Sequence, residues 1–227
     1  MNWEEVKAKK SIYLNLGGKG DCHPQLGYEN YIAIDSKPPR ADWTIEHNLE
    51  DPIPLPSDSV DRILSEDFFE HIAAEEIKKI ICECFRILRP GGFMRIGVPD
   101  YNNPKDRPYL KEGKDPRYPG HITLTTYDCM KRIIGETPFK RYRFRHYWDK
   151  AEFVFEKIDY TLGMVKRTRD NDLSCKRIGV IRNVKGIIKD LMFIVSRGFK
   201  CTWQELQTQE GHHLHVTSLI VDLYKEQ

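Results

Sequence analysis

The chain has 227 residues, 40% of them apolar, enough to fill one good core and too few for two comfortable ones. Its 36 basic and 34 acidic residues leave a net charge of +2, so no global field points to nucleic acid or a membrane as partner. No apolar run approaches the ~18 residues of a membrane span, the stretch Met1–Lys7 has no signal-peptide core, and six cysteines without a C-x-x-C pair argue against a zinc site or a disulfide framework. A cytoplasmic protein with free thiols is expected.

Residues before Ser11 are polar and lysine-rich, a short helix or a loose lead-in. The first strand is Ile12 to Leu16, and it stops at the cluster Gly17-Gly18-Lys19-Gly20. The connection from Asp21 to Asn30 holds Pro24 and Gly27, leaving room for at most a turn or two of helix. A second strand, Tyr31 to Ile34, ends in Asp35. Trp43-Thr44-Ile45 reads as a short third strand, and Asn48 and Leu49 follow it. Prolines at 52, 54 and 56 exclude helix and make Pro52–Pro56 an extended surface connection. Val60 to Ser65 is a fourth strand that runs out into Glu66-Asp67-Phe68-Phe69-Glu70-His71. Apolar residues at 77, 80, 81, 84, 85 and 88 recur at helical spacing, and Arg89-Pro90-Gly91 stops that helix. Phe93 to Val98 is a fifth strand, followed by Pro99-Asp100-Tyr101.

Strands alternating with connections and a helix predict a doubly wound, mostly parallel sheet, whose ligands sit outside the carboxyl ends of the strands. Glycines there let backbone approach a ligand closely, and a carboxylate ending the second strand suits a ribose diol. The loop does not read G-x-G-x-x-G, because His23 stands where the third glycine belongs. Nor does it end in Gly-Lys-Ser/Thr. A nucleoside cofactor without phosphates fits what remains.

The motifs Leu14–Gly20, Ile34-Asp35, Leu55–Asp61, Glu70-His71-Ile72 and Arg86–Ile96 resemble, in order and spacing, those of class I S-adenosylmethionine-dependent methyltransferases. More narrowly, Arg95–Asp100 and Thr217–Asp222 resemble bacterial methyltransferase-like proteins associated with surface polysaccharide synthesis. The resemblance implies an α/β, Rossmann-like, seven-stranded mixed sheet with one antiparallel C-terminal strand, and S-adenosyl-L-methionine as cofactor. It implies that Gly17, Gly18 and Gly20 wrap the methionine part and that Asp35 holds the ribose. Asn48 and Leu49 fall near the adenine, and Ser65 and Glu66 near the sulfonium. Gly18 stands where relatives usually carry Cys or Ser, and Asn48 where they commonly carry an acid. These two departures keep open a catalytically degenerate, scaffolding alternative.

Methyl transfer to a hydroxyl needs a base within hydrogen-bond reach. His121, Asp100 and His71 are the candidates. His121 ranks first because it titrates near neutrality and follows the proline-punctuated loop Tyr101–Gly120, which reads as a lid. A structural reading has His121 bracing a helix that Thr125 and Asp128 open as a capping box. Glu66, Glu70, His71 and His121 show no metal-ligand spacing of known type, so no metal is expected.

Tyr127 to Ile134, stopped by Gly135, reads as a helix. Phe139 to Tyr147 alternates basic and aromatic residues as an exposed strand does, and Leu214 to Leu223 closes the sheet. One domain spans 1–227, with an insertion at about 148–212. Within it Lys176–Lys200 carries seven basic residues against the single acid Asp190, interleaved with apolar ones. That segment has three readings: a helix packed on the sheet or on a homodimer mate, a helix on the anionic inner membrane face, or a nucleic-acid patch. The last is disfavoured because no binding motif accompanies it. The acceptor expected from the resemblance is a sugar, a glycan or a related small polar molecule, methylated on oxygen.

Overall fold

Eight strands form one sheet in the order β3-β2-β1-β4-β5-β8-β6-β7, seen in a computed structural model that describes residues 1–18, 30–39, 41–104, 106–150, 152–156, 158–159, 162, 180–200 and 218–226. The strands are β1 (Tyr13–Leu16), β2 (Tyr31–Asp35), β3 (Thr44–Glu46), β4 (Val60–Glu66), β5 (Leu88–Pro99), β6 (Arg141–Asp149), β7 (Glu152–Phe155) and β8 (Ser218–Tyr224). The first five pair in parallel. β8 runs antiparallel to both its neighbours, β5 and β6, and β7 runs antiparallel to β6. The α/β Rossmann-like architecture is the expected one, with a correction at its edge. The sheet has eight strands rather than seven, and two of them are antiparallel. The extra strand, β7, is the return arm of a hairpin whose turn places Lys150 at φ 56°.

The central strands are covered on both faces, which is why they read as continuous apolar runs. All five residues of β2 are buried, and Leu14, Leu16, Ile63, Met94, Ile96 and Val98 join its Ile32 and Ile34 in one core. Helix α1 (Trp3–Lys7) starts with a capping box, in which the Asn2 side chain accepts from Glu5 N and the Glu5 carboxylate accepts from Asn2 N. It buries Val6, and Trp3 packs edge-on against His47 beyond β3, with ring centroids 5.4 Å apart. Helix α2 (Ala74–Ile87) buries Ile77, Ile80, Ile81, Cys84 and Ile87, each isoleucine contributing about 1.5–3 kcal/mol.

The proline run lies along the surface as expected, with Pro52, Pro54 and Pro56 exposed, but its other face is part of the core. Its prolines alternate with buried Ile53 and Leu55, and α2 clamps its backbone. Glu83 accepts from Ile53 N at 2.8 Å, while Arg86 donates to the carbonyls of Ile53 and Leu55. Helix α3 (Tyr127–Gly135) is capped by Thr126, whose hydroxyl accepts from Cys129 N at 3.2 Å. Thr125, the expected capping residue, instead donates to the Pro99 carbonyl at 2.6 Å. Cys82, Cys84 and Cys129 are free thiols.

A buried charge cluster joins the two antiparallel pairings of β8. Asp222 on β8 accepts from Arg95 Nε at 2.7 Å and Nη2 at 3.0 Å, and from Arg145 Nε at 2.9 Å. Arg95 and Asp222 are 1% and 0% exposed, an ion pair in the core that is sustained by its bidentate geometry.

Helix α4 (Val180–Ser196) is oriented opposite to the usual core-facing pattern. Its acid, Asp190, is buried, whereas Ile188, Leu191, Met192 and Val195 are exposed, as is Phe199 beyond its end. Lys189, Arg197 and Lys200 are exposed beside them. Residues 176–179 and 214–217 of the expected basic segment and last strand lie outside the described residues.

Candidate cofactor and acceptor site

Parallel pairing brings the carboxyl ends of β1 to β5 to one edge, and most of the residues singled out in the sequence lie along it. Leu16 pairs with Ile34 on one side and Ser65 on the other, Asp35 pairs with Glu46, and Glu66 pairs with Gly97. Gly17 leaves β1 at φ 71° and donates its N–H to the Ile34 carbonyl at 2.8 Å. A Cβ there would meet the Phe68 ring at 2.6 Å, and one at Gly18 would meet the Asn15 amide nitrogen at 2.4 Å. At Gly17 a larger residue would be both strained and in contact with Phe68, whereas the Cys or Ser expected from relatives at Gly18 would require the Asn15 side chain to shift. Gly20 lies outside the described residues.

The loop after β4 is folded onto this turn by backbone geometry. Asp67 adopts φ 48°, a left-handed conformation that Asp tolerates better than most residues, and its N–H donates to the Gly97 carbonyl at 2.9 Å. The chain then turns so that Phe68 covers Gly17 and Phe69 is buried.

Asp35 ends β2 nearly buried, with Oδ1 accepting from Lys37 N at 2.9 Å. Leu49 is buried. Asn48 is exposed, and its carboxamide oxygen accepts from Glu50 N at 3.2 Å in a local turn. Ser65 is fully buried, yet its hydroxyl has no hydrogen-bond partner among the described residues. A hydroxyl stranded at the end of a central strand is normally satisfied by something, and a ligand's polar group fits that requirement. Glu66 stands next to it, half-buried.

The three candidate bases fare differently. Asp100 is 1% exposed, and both its oxygens are engaged by backbone, Oδ2 with Trp148 N at 2.6 Å and Oδ1 with Asn102 N at 3.0 Å. Burial raises its pKa from 3.8 to about 6 against the lowering effect of those two bonds. These contacts tie the end of β5 to β6. His121 and His71, distant in sequence, meet edge to face with ring centroids 4.8 Å apart. His121 Nδ1 shares a hydrogen bond with the Tyr101 hydroxyl, and Tyr118 stacks on the imidazole at 5.1 Å. Burial holds the Tyr101 hydroxyl well above the usual tyrosine range, so it remains a phenol.

The segment carrying His121 is stitched to the β4 loop. Ile122 N and Thr123 N donate to the Glu70 carbonyl at 2.7 and 3.1 Å, and the Thr123 hydroxyl donates to the Ile72 carbonyl at 2.6 Å. The connecting loop is itself braced. Arg117 bridges Asp106 at 3.0 Å and Asp115 at 2.6 Å, and its guanidinium holds the Asp115 carboxyl below the usual carboxylate range. Glu70, His71 and His121 thereby offer ligand atoms all within 4.8 Å of one another. Sequence spacing does not reveal this grouping, because nearly fifty residues separate its halves.

Residues 18–96 match the family model described as a methyltransferase domain. The fold resembles an Archaeoglobus fulgidus SAM-dependent methyltransferase, with a TM-score of 0.56 and 11% identity over 98% of this chain and 90% of that one. A Thermotoga maritima SAM-dependent methyltransferase, a possible histamine N-methyltransferase, gives a TM-score of 0.54 and 10% identity over 96% and 84%. A Haemonchus contortus phosphoethanolamine N-methyltransferase solved with S-adenosylhomocysteine gives 0.50 and 14% over 99% and 51%. No curated protein matches the sequence at a significant level. At such identities the structures establish the architecture, which is that of S-adenosylmethionine-dependent methyltransferases, and the methyltransferase-domain model matches about a third of the chain.

Proposed function

We propose that the protein methylates an oxygen of a sugar or related small polar acceptor at the strand-end edge. The observation that carries this reading is the imidazole of His121, held by Tyr101, stacked by Tyr118 and set edge-on to His71 of the loop that follows β4. The bound cofactor supplies an electrophilic methyl group on its sulfonium. Gly17 and Gly18, with Gly20, admit the methionine end, and Asp35 accepts from the ribose. Asn48 and Leu49 flank the adenine, while Ser65 and Glu66 line the reacting end. When His121 donates Nδ1–H to the Tyr101 oxygen, Nε2 keeps the lone pair that takes the acceptor hydroxyl's proton. Asp100 serves as an anchor, since both its oxygens already hold backbone amides.

Calorimetric titration with S-adenosylmethionine and S-adenosylhomocysteine tests the cofactor end, with Asp35→Ala as control. Micromolar binding lost in that variant is expected. Absence of binding to either would turn the reading to the degenerate, scaffolding alternative that Asn48 and Gly18 favour. Sugar and glycan acceptors are then screened by S-adenosylhomocysteine release, and methylation on nitrogen only would overturn the O-methyl assignment.

A second feature bears on where the acceptor resides. The exposed stripe Ile188, Leu191, Met192 and Val195 on α4, flanked by Lys189, Arg197 and Lys200, suits an anionic bilayer surface. Among the described residues no helix is long and apolar enough to cross a membrane. Co-sedimentation with vesicles containing phosphatidylglycerol, but not with phosphatidylcholine alone, is expected and is abolished by Leu191→Glu with Val195→Glu. Unchanged sedimentation in that variant, or concentration-dependent dimerisation without vesicle binding, would refute this docking.

A further inference from the structure

We propose that Glu70, His71 and His121 bind one divalent transition-metal ion at the acceptor end of the site. This deepens the assignment above and rests on its placing of the acceptor beside His121. The three side chains present two imidazole nitrogens and one carboxylate, a donor set suited to Zn²⁺, Mn²⁺ or Co²⁺ and poorly matched to Mg²⁺, which prefers oxygen throughout. Glu70 is 1% exposed, so its carboxylate is withdrawn from bulk water.

The histidines are prepared as ligands by their outer contacts. The Gly120 carbonyl lies 2.8 Å from His71 Nδ1 and can only accept. That nitrogen must therefore carry the proton, and the ring's lone pair is fixed on Nε2. Nε2 stands 4.0 Å from Glu70 Oε1, too far for a hydrogen bond and within the range of two ligands sharing an ion. A backbone carbonyl fixing the tautomer of a ligating imidazole is the usual outer arrangement of a metal histidine. The Tyr101 hydroxyl bonds His121 Nδ1, and in the tautomer in which that nitrogen donates, His121 offers its Nε2 lone pair to the ion.

Two ligands at ~2.1 Å from a tetrahedral ion are about 3.4 Å apart. The 4.8 Å limit of the cluster therefore requires side-chain rotation of roughly an ångström, while the backbone bonds between residues 70–72 and 122–123 hold the frame. Three protein ligands leave positions for an acceptor hydroxyl or a neighbouring pair of them. A hydroxyl whose oxygen coordinates the ion loses its proton more readily. With the His121 lone pair on the ion, that proton passes to water at the rim, where His71 is 43% exposed.

The test is calorimetry of the chelator-treated full chain with Zn²⁺ and Mn²⁺, together with the visible spectrum of the Co²⁺ form. S-adenosylhomocysteine binding is measured on the same samples, so failure of the metal site and failure of the methyltransferase reading are read separately. One equivalent of ion is expected. Binding should weaken at least roughly tenfold in Glu70→Gln and in His71→Ala, and about tenfold in Tyr101→Phe, with S-adenosylhomocysteine affinity retained. Glu70→Gln keeps the side chain's shape and His71 is partly exposed, so both variants are chosen to preserve the fold, which the thermal midpoint checks. Absence of a stoichiometric site for any of the three ions would overturn the proposal. So would full binding retained by the Glu70→Gln/His71→Ala double variant, which would put the ion elsewhere in the chain.

Discussion

Replacing Asp222 by Ala removes the carboxylate at the centre of the buried charge cluster. Arg95, 1% exposed, then loses two short charge-assisted bonds, while its donation to the Asp159 carbonyl at 3.0 Å, a neutral acceptor, does not replace the lost charge. Breaking a buried pair from one side typically costs about 3–5 kcal/mol, because the remaining charge stays out of water. Arg145 suffers less, since it is 19% exposed and retains Glu156 at 2.9 Å and the Tyr224 hydroxyl at 3.1 Å. For a chain of this size each kcal/mol moves the thermal midpoint by ~2–4 °C, so a fall of roughly 6–20 °C is expected. The double variant Arg95→Met/Asp222→Leu removes both charges and should recover most of that loss. Urea unfolding followed by tryptophan fluorescence gives the free energies, with the slope checked for constancy. The reasoning fails if Asp222→Ala loses under about 1 kcal/mol, or if the double variant loses as much as the two single variants together.

Other perturbations probe the site's frame. Asp100 binds its proton more tightly in the folded chain than in the unfolded one, so its contribution to stability falls as pH rises from 3.8 to about 6. Asp100→Asn lacks that titration, and its stability relative to wild type should therefore climb by about 3 kcal/mol across the window, read from paired urea curves. A flat difference would refute the raised pKa. Gly17→Ala and Gly113→Ala both place a Cβ at positive φ, 71° and 74°, but only the first meets Phe68, and nothing lies within 4 Å of the second. Gly113→Ala should cost about 1–2 kcal/mol and Gly17→Ala roughly 1–3 more, with weakened S-adenosylhomocysteine binding in the latter alone. Asp67→Gly should be tolerated and Asp67→Val should destabilise, as measured by thermal midpoint, because the residue sits at φ 48°.

The parallel half of the sheet was legible because its signals are local. Apolar runs that stop at glycine or carboxylate, and the spacing of Ile77, Ile80, Ile81 and Cys84, can be read within a dozen residues. The burial of Ile53 and Leu55 was not legible, since prolines forbid regular structure without saying which side faces in. Nor was β7, a four-residue strand whose only local cue is the turn at Lys150. Arg95 and Asp222 each look out of place in an apolar strand, and nothing local tells that they are partners 127 residues apart. The same holds for the site. Gly17, Asp35 and Ser65 follow from strand ends, whereas the meeting of Glu70 and His71 with His121 depends on how the lid segment returns to the sheet.

The position of β8 has a consequence for how this chain folds. β8 lies between β5 and β6, yet β7 ends at Phe155 and β8 begins only at Ser218. The β6–β7 hairpin is built from local contacts and packs Phe144 and Tyr147 on Tyr127 of α3, but its hydrogen-bonded place in the sheet requires β8 between it and β5. Closing such a loop in place of one a quarter as long adds only about 1.2 kcal/mol to the barrier, so the requirement is one of order more than of energy. Until β8 is in place, β5 and β6 both present open hydrogen-bonding edges. In the folded chain Asp222 on β8 holds the guanidiniums of Arg95 and Arg145 from the strands on either side, so the strand that comes last in sequence carries the charge that ties the hairpin to the sheet.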